Sequence, residues 1–201
     1  MNGIDAYLDG LASADPVPGG GSAATLVGAM GAALCAMVAR ITGASPRHAD
    51  VRAAADALVA EADRLRGRFS AARPLDEDAY GRVVAAGTLP RATDDEKQAR
   101  TAAMQAALIG AAEAPLAVAG LCAEGIDLAA RTGALGNPHL ASDVDCALHF
   151  LRAALAASIA NVRINHRYIK DEAVVRDQED RLVAIATRAQ ETLDQLLPVR
   201  P

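Results

Sequence analysis

An uncharged stretch runs from Pro16 to Ala39, opening with Gly19, Gly20 and Gly21 and ending at Arg40. A segment this long and free of charge has to be covered, so the fold is built around it. Its Ala, Gly, Leu and Met content favours a helix from about Ser22 to Thr42. Three consecutive glycines leave the backbone free to take positive φ. With Ser22 at or near the N-cap, the helix presents unpaired N–H groups and the positive end of its dipole. Pro18, Gly19, Gly20, Gly21 and Ser22 thus form either a cradle for an anion or polar ring edge, or a Gly/Pro linker with a serine cap. No GxGxxG opens a βαβ unit and no Gly-Lys-Ser/Thr follows, so neither common nucleotide loop is present.

A membrane span is the competing reading of this stretch. Pro16 and the glycines use up its first turn, and Asp5, Asp9 and Asp15 precede it where a signal peptide carries basic residues. No second apolar run of spanning length is expected. The helix is therefore expected inside a soluble core, with no membrane partner.

Aromatics are nearly absent: Phe69, Phe150, Tyr7, Tyr80 and Tyr168, with no Trp. Alanine supplies most of the apolar content, and period-two runs of β-branched or aromatic residues are missing. The expectation is an all-α, multihelical up-and-down bundle in which small side chains let helices approach closely. One domain covering residues 1–201 suits this length. Several apolar faces look too extended for one chain to cover, which points to an intertwined homodimer. Gly28 and Gly31 thin one face of the second helix so that another backbone can lie against it.

The formal net charge of −5 and the scattered Lys and Arg residues argue against a nucleic-acid partner. Cys35, Cys122 and Cys146 lack CxxC spacing and sit among apolar neighbours, so three buried thiols in a reducing cytoplasm are expected. His48, His139, His149 and His166 have no metal-ligand spacing, and Asp143 with Asp145 lacks the rest of a calcium loop. Ser22 has no neighbouring base that would make it a nucleophile.

A short amphipathic helix is expected over Ile4–Ala12, and a third helix over Pro46–Ser70, broken by Pro74. A fourth starts at Leu75-Asp76-Glu77 with its acids in the first turn and ends at Leu89-Pro90. Thr93 and Glu96 have capping-box spacing ahead of a helix over Asp94–Arg131, kinked near Pro115. After the Gly136-Asn137-Pro138 loop, a helix runs from Ser142-Asp143 to about Lys170, and another from Asp171 to Leu196.

Four segments carry a resemblance. They are Pro18-Gly19-Gly20-Gly21-Ser22-Ala23-Ala24; Asp76 with Ala79-Tyr80; Leu89-Pro90 with the Thr93–Arg100 box; and Gly136-Asn137 with Ser142-Asp143 and Asn161-Val162-Arg163-Ile164-Asn165. In this order the chain resembles the cyclodeaminase/cyclohydrolase family, from about Asp5 to about Leu196. That family includes the C-terminal domain of formiminotransferase-cyclodeaminase and stand-alone methenyltetrahydrofolate cyclohydrolases. The resemblance implies an intertwined helical dimer that takes a tetrahydrofolate one-carbon derivative as substrate. His139 and Asp145 depart from the family pattern. They keep open a non-catalytic folate-binding or structural dimer beside the two enzymatic readings.

Both implied reactions pass through a tetrahedral carbon between two nitrogens, so each needs a proton shuttle and no metal. Asp143, behind a Gly/Pro loop and matching the family's Ser142-Asp143 pair, is the first candidate, and Asp76 the second. Either could instead be an acid that complements a helix dipole. Glu77 and Asp78 are expected in solvent. Asn137, Asn161 and Asn165 offer amides to the pterin edge, and the last two share a helical face; a pair of buried asparagines could equally fix helix register. Tyr80 is placed to stack on the pterin or to serve in the core. The glutamate tail requires cations, for which Arg40, Arg163, Arg167 and Lys170 are candidates. The triple-glycine turn and the Ser142-Asp143 bend are expected to converge on one cavity, within a protomer or across two.

Overall fold

The computed structural model describes residues 3–196. Six α-helices carry the fold: α1 (Ile4–Leu11), α2 (Gly20–Ala44), α3 (Arg52–Gly87), α4 (Asp94–Gly133), α5 (Ala141–His166) and α6 (Glu172–Leu196). No strand occurs among the described residues. Short 3₁₀ turns at Pro46–Val51 and Pro138–Leu140 lead into α3 and α5.

The core is a four-helix ring in which α2 packs on α3, α3 on α4, α4 on α5, and α5 back on α2. Contacts between α2 and α3 run from Gly43 against Ala55, through Gly28 against Phe69, to Gly21 against Asp76. Those between α2 and α5 run from Thr42 with Asn137, just ahead of α5, to Gly20 beside Asn161. Each neighbouring pair is thus antiparallel, the up-and-down arrangement expected of long helices with short connections. The sixth helix lies along the outside of α4, tied by Arg181 to Glu113 and by Arg188 to Asp127.

Missing side chains set how tightly the ring closes. A Cβ at Gly28 would stand 2.7 Å from Cζ of Phe69, a ring with no exposed surface. Cβ atoms at Gly31 and Gly125 would stand 2.7 Å and 2.5 Å from Leu151, so that leucine fills a hole bounded by two glycines. At Gly31 the Ala147 carbonyl is also only 3.2 Å away, the backbone approach expected of this face. At Gly28 the neighbour is a ring instead.

Proline behaves differently from the sequence reading. Pro74 does not break the chain: α3 continues through it for 36 residues. Its lost N–H and ring clash act locally, while apolar contacts on both sides, Phe69 before it and Ala79 after it, hold the helix to its neighbours. Pro115 likewise lies inside α4. It frees the Ala111 carbonyl, which accepts a 3.0 Å hydrogen bond from Asn165 Nδ2 instead.

Other boundaries follow local chemistry. Thr93 accepts from the Glu96 N–H at 3.2 Å while Glu96 accepts from the Thr93 N–H at 3.0 Å, so the capping box is formed. The fifth helix stops at His166, earlier than expected, because Asp171 caps α6 through the N–H groups of Ala173 and Val174. Cys35 and Cys122 are buried, and burial pushes both thiols up to about 12. Cys146 is exposed, against expectation, because it lies on the outer face of α5.

Among the described residues three helices, not one, are long and apolar enough to cross a membrane: α2, α4 and the segment Pro138–His166. Alanine-rich faces packed on one another give α4 and α5 this character, and half of the apolar window in α2 and α4 is buried within the bundle.

Gly28→Ala is expected to lower stability by about 1–3 kcal/mol, because crowding Phe69 outweighs the gain of roughly 1 kcal/mol in helix propensity. Gly67→Ala, in α3 with nothing within 4 Å of the new methyl group, is expected to raise it by up to about 1 kcal/mol. Urea unfolding of the two variants beside the parent measures both signs.

Candidate active site

A cavity of about 660 Å³ opens where α2 begins, α5 ends, and α3 and α4 pass between them. A volume of this size suits a small organic ligand. Its walls come from helix faces. On α3, Asp76, Ala79, Tyr80 and Val83 follow the i, i+3, i+4, i+7 spacing of one stripe. On α4 the stripe is Met104, Leu108, Ala111 and Pro115; at the end of α5 it is Asn161, Ile164 and Asn165, joined by Tyr168 in the turn that follows. Pro16, Val17 and Gly19–Gly21 close the remaining side.

Here the glycines serve close approach, not unusual torsions. Among the described residues only Gly136 has a positive φ, +75°. Gly19 is the extended N-cap residue of α2, so Gly20 and Gly21 lie inside the first turn and Ser22 is not the cap. The Asp76 carboxylate sits directly on Gly21, in the volume that any Cβ there would occupy. A Cβ at Gly20 would lie 3.6 Å from the Asn161 amide.

Among the described residues, Asp76 is the only carboxyl group on the cavity lining. Its pKa is raised above the ordinary 3.8, first by burial and then by the charge of Glu77, while the backbone N–H of Ser22 acts in the opposite sense. Glu77 is not simply solvated, as its place among charged neighbours suggested. Its Oε1 accepts from the buried Ser22 hydroxyl at 3.1 Å. With that proton committed, the Tyr7 hydroxyl donates to Ser22 Oγ at 3.0 Å. The Arg73 guanidinium covers the Tyr7 ring at 5.7 Å. Ser22 is therefore a strut behind the site and not part of its lining.

The two asparagines have distinct duties. Asn161 Nδ2 donates to the Ala157 carbonyl at 2.8 Å. Asn165 Nδ2 donates to Ala111 and Asn161 carbonyls at 3.0 and 2.9 Å. Carbonyl partners fix which amide atom faces them, so the donors are engaged and both Oδ1 atoms keep acceptor capacity toward a ligand.

The remaining sequence candidates lie elsewhere. Pro18 packs beside Gly10 of α1, outside the lining. Arg40 pairs with Asp63 on α3, and Arg163 pairs with Glu179 at 2.8 Å on the outside of α5. Asn137 Nδ2 donates to Thr42 Oγ1 at 3.2 Å, at the far end of α2. Ser142 and Asp143 start α5 at that same end. From Gly21 to Thr42 the helix rises about 32 Å, so within one chain the two bends do not converge. The antiparallel packing of α5 on α2 is the reason: it brings the end of α5, not its start, to the glycines. A second groove of about 520 Å³ lies at that far end, with Asn137 and Asp145 on its wall.

Sequence reasoning passed over Tyr168, Gln105 and the apolar stripe of α4. The signal for Tyr168 was its spacing from Asn161 and Asn165 by seven and three residues on one helical face. No group of three or more metal-ligating side chains occurs among the described residues.

The family profile described as formiminotransferase-cyclodeaminase matches residues 3–184. The chain belongs to this family. A relative in Methylorubrum extorquens, methenyltetrahydrofolate cyclohydrolase, is 37% identical over 92% of this chain and 89% of its own length. Formimidoyltransferase-cyclodeaminase of Sus scrofa is 28% identical over 91% of this chain, which spans only 34% of that longer protein. The crystal structure of formiminotetrahydrofolate cyclodeaminase from Thermotoga maritima matches over 98% of both chains with a TM-score of 0.78 and 25% identity.

The raised pKa of Asp76 has a sign that can be measured. Its charged form is disfavoured in the folded chain, so stability falls as pH rises from the ordinary value of 3.8 through the folded pKa. Thermal melts across pH should show the parent gaining on Asp76→Asn as pH is lowered through that window. The Asn variant carries no such charge.

Proposed function

We propose that this protein is a folate one-carbon enzyme, a methenyltetrahydrofolate cyclohydrolase that opens 5,10-methenyltetrahydrofolate to 10-formyltetrahydrofolate. The observation that carries the reading is Asp76, a lone carboxyl with a raised pKa facing a mostly apolar cavity with two asparagine acceptors. The 37% identity to a cyclohydrolase over nearly the full length of both chains supports it.

The substrate is a cation delocalised over N5, the bridging carbon and N10, so the Asp76 carboxylate complements it. Water adds to that carbon and gives a proton to Asp76, forming a tetrahedral carbon that bears a hydroxyl group. Breaking its bond to N5, as the hydroxyl gives up its proton to solvent, leaves the formyl group on N10; the cation and one water thus yield a neutral product and one released proton. Asp76 returns the proton to N5, and the carboxylate is regenerated. A pKa raised by burial above the ordinary carboxylate value favours a group that must both take and give a proton. The Asn161 and Asn165 oxygens accept from the N–H edge of the reduced pterin. Tyr80 and Tyr168 border the ring.

Formiminotetrahydrofolate cyclodeaminase is the second reading, favoured by the fold shared with the Thermotoga enzyme. There N10 attacks the formimino carbon, and the acid form of Asp76 protonates the departing ammonia. Both readings place the chain in the cytoplasm as a homodimer that works without a metal.

Loss of 5,10-methenyltetrahydrofolate absorbance is expected to speed up with the protein present. Asp76→Ala is expected to reduce that acceleration by about 10²–10⁴-fold. Asp143→Ala is expected to keep most of it; a comparable loss there would assign a role to the far bend through a second copy. Ammonia release from the 5-formimino compound, measured in parallel, separates the two readings.

A further inference from the structure

On α3, two acids stand side by side against the first turn of α2, and only one of them faces the cavity. Asp76 lines it and Glu77 does not. Ser22 serves both: its backbone N–H reaches Asp76, and its hydroxyl donates to Glu77 Oε1 at 3.1 Å. Ser22 has no exposed surface, so the Glu77 carboxylate is anchored against α2 behind the site.

A charge in that place is ordinarily quenched. Arg73 lies four residues before Glu77, a separation at which acid and base pair on a helix. Here its guanidinium is turned over the Tyr7 ring instead, 5.7 Å from the centroid. Among the described residues Glu77 takes a hydroxyl as its partner and no cation. The other surroundings bring no cation either. The stretch from Pro16 to Ala39 is uncharged. The walls from α4 and α5 offer Gln105, Asn161 and Asn165 as their polar side chains, and the titratable groups beside the two acids are the phenols of Tyr7, Tyr80 and Tyr168. Asp78, next along α3, is exposed. Two hydroxyls in file, from Tyr7 to Ser22 to Glu77, hold the carboxylate without neutralising it.

We infer that Glu77 is a positioning residue for the folate reaction, a second carboxylate kept unpaired behind the site that acts on the substrate only through Asp76. The inference rests on the cyclohydrolase reading and deepens it. A negative neighbour makes Asp76 hold a proton more tightly. Asp76 is then a stronger base toward the attacking water and keeps the proton until N5 needs it. Burial does part of this. The unpaired charge, spared from Arg73 by Tyr7, does the rest.

The test joins a titration that needs no substrate to the pH profile of turnover, both on the full chain. Carbon NMR follows the Asp76 carboxyl, identified by its absence in Asp76→Asn. In Glu77→Gln, which keeps an acceptor for Ser22 and loses the charge, this titration is expected to move to lower pH. Glu77→Ala, equally uncharged and a better helix former, is run beside it, with folding checked by circular dichroism. In the parent, kcat/KM for loss of 5,10-methenyltetrahydrofolate absorbance falls on the acid side as Asp76 takes up its proton. Normalised to its own plateau, either uncharged variant is expected to retain about threefold more of that rate on the acid limb, while the plateau itself drops. Glu77→Asp, which keeps the charge, should follow the parent. A merely structural role would lower rates without moving either midpoint. An Asp76 titration unmoved in a folded uncharged variant would overturn the role of Glu77 and leave the folate reading standing. So would a titration that moves while the normalised profile does not, or a Glu77→Asp protein that behaves like the uncharged variants. A parent that accelerates neither folate reaction would overturn the folate reading together with the role of Glu77 in turnover.

Discussion

The bundle depends on how closely α3 can lie against the start of α2. Three of the α2 positions that face α3 are glycine, at Gly21, Gly28 and Gly43, and each accommodates an atom that a methyl group would displace. The ring of Phe69 enters at Gly28, and the Asp76 carboxylate enters at Gly21. Because interiors are packed at crystal-like density, these contacts fix the axial register of the two helices. That register puts an acidic side chain on the first turn of an apolar helix. Burial there raises its proton affinity, and the cavity forms in front of it.

Backbone accounting ties the opposite wall to the fold. Pro115 leaves the Ala111 carbonyl without its helical donor, and Asn165 supplies one from α5. The same side chain also reaches the Asn161 carbonyl. Asn165 is therefore a structural bridge whose remaining oxygen lines the cavity. An unmet buried carbonyl costs roughly 1–3 kcal/mol. A substitution at Asn165 is accordingly read in stability as well as in binding.

What the sequence revealed was mostly local. Alanine content and helical spacing made the all-helical architecture legible, and the Thr93–Glu96 pair marked a helix start that the structure contains. The stripes Asp76–Tyr80 and Asn161–Asn165 were visible because three- and four-residue separations need no tertiary knowledge. Which ends meet was not legible. In a bundle of helices of 25 to 40 residues, two bends far apart in sequence can fall at the same end or at opposite ends, and no short-range pattern decides. Asp143 is the first candidate on a local motif, yet within one chain the antiparallel course of α5 sets it a helix length from Gly21. Ser22 and Glu77 were misread for a related reason: the hydrogen bond between them spans 55 residues. Pro74 misled because propensity weighs only the local loss and ignores the packing on either side.

The chain's aromatic poverty has an optical corollary. With no tryptophan and three tyrosines, all its emission on excitation at wavelengths too long for phenylalanine to absorb originates from Tyr7, Tyr80 and Tyr168. Two of these rings border the cavity, and the third is tethered to Ser22 immediately behind it. At those wavelengths the bulk of the bundle is silent. Intrinsic luminescence of the unlabelled protein is thus confined to the neighbourhood of the site, and a guest entering it changes the surroundings of the chromophores themselves.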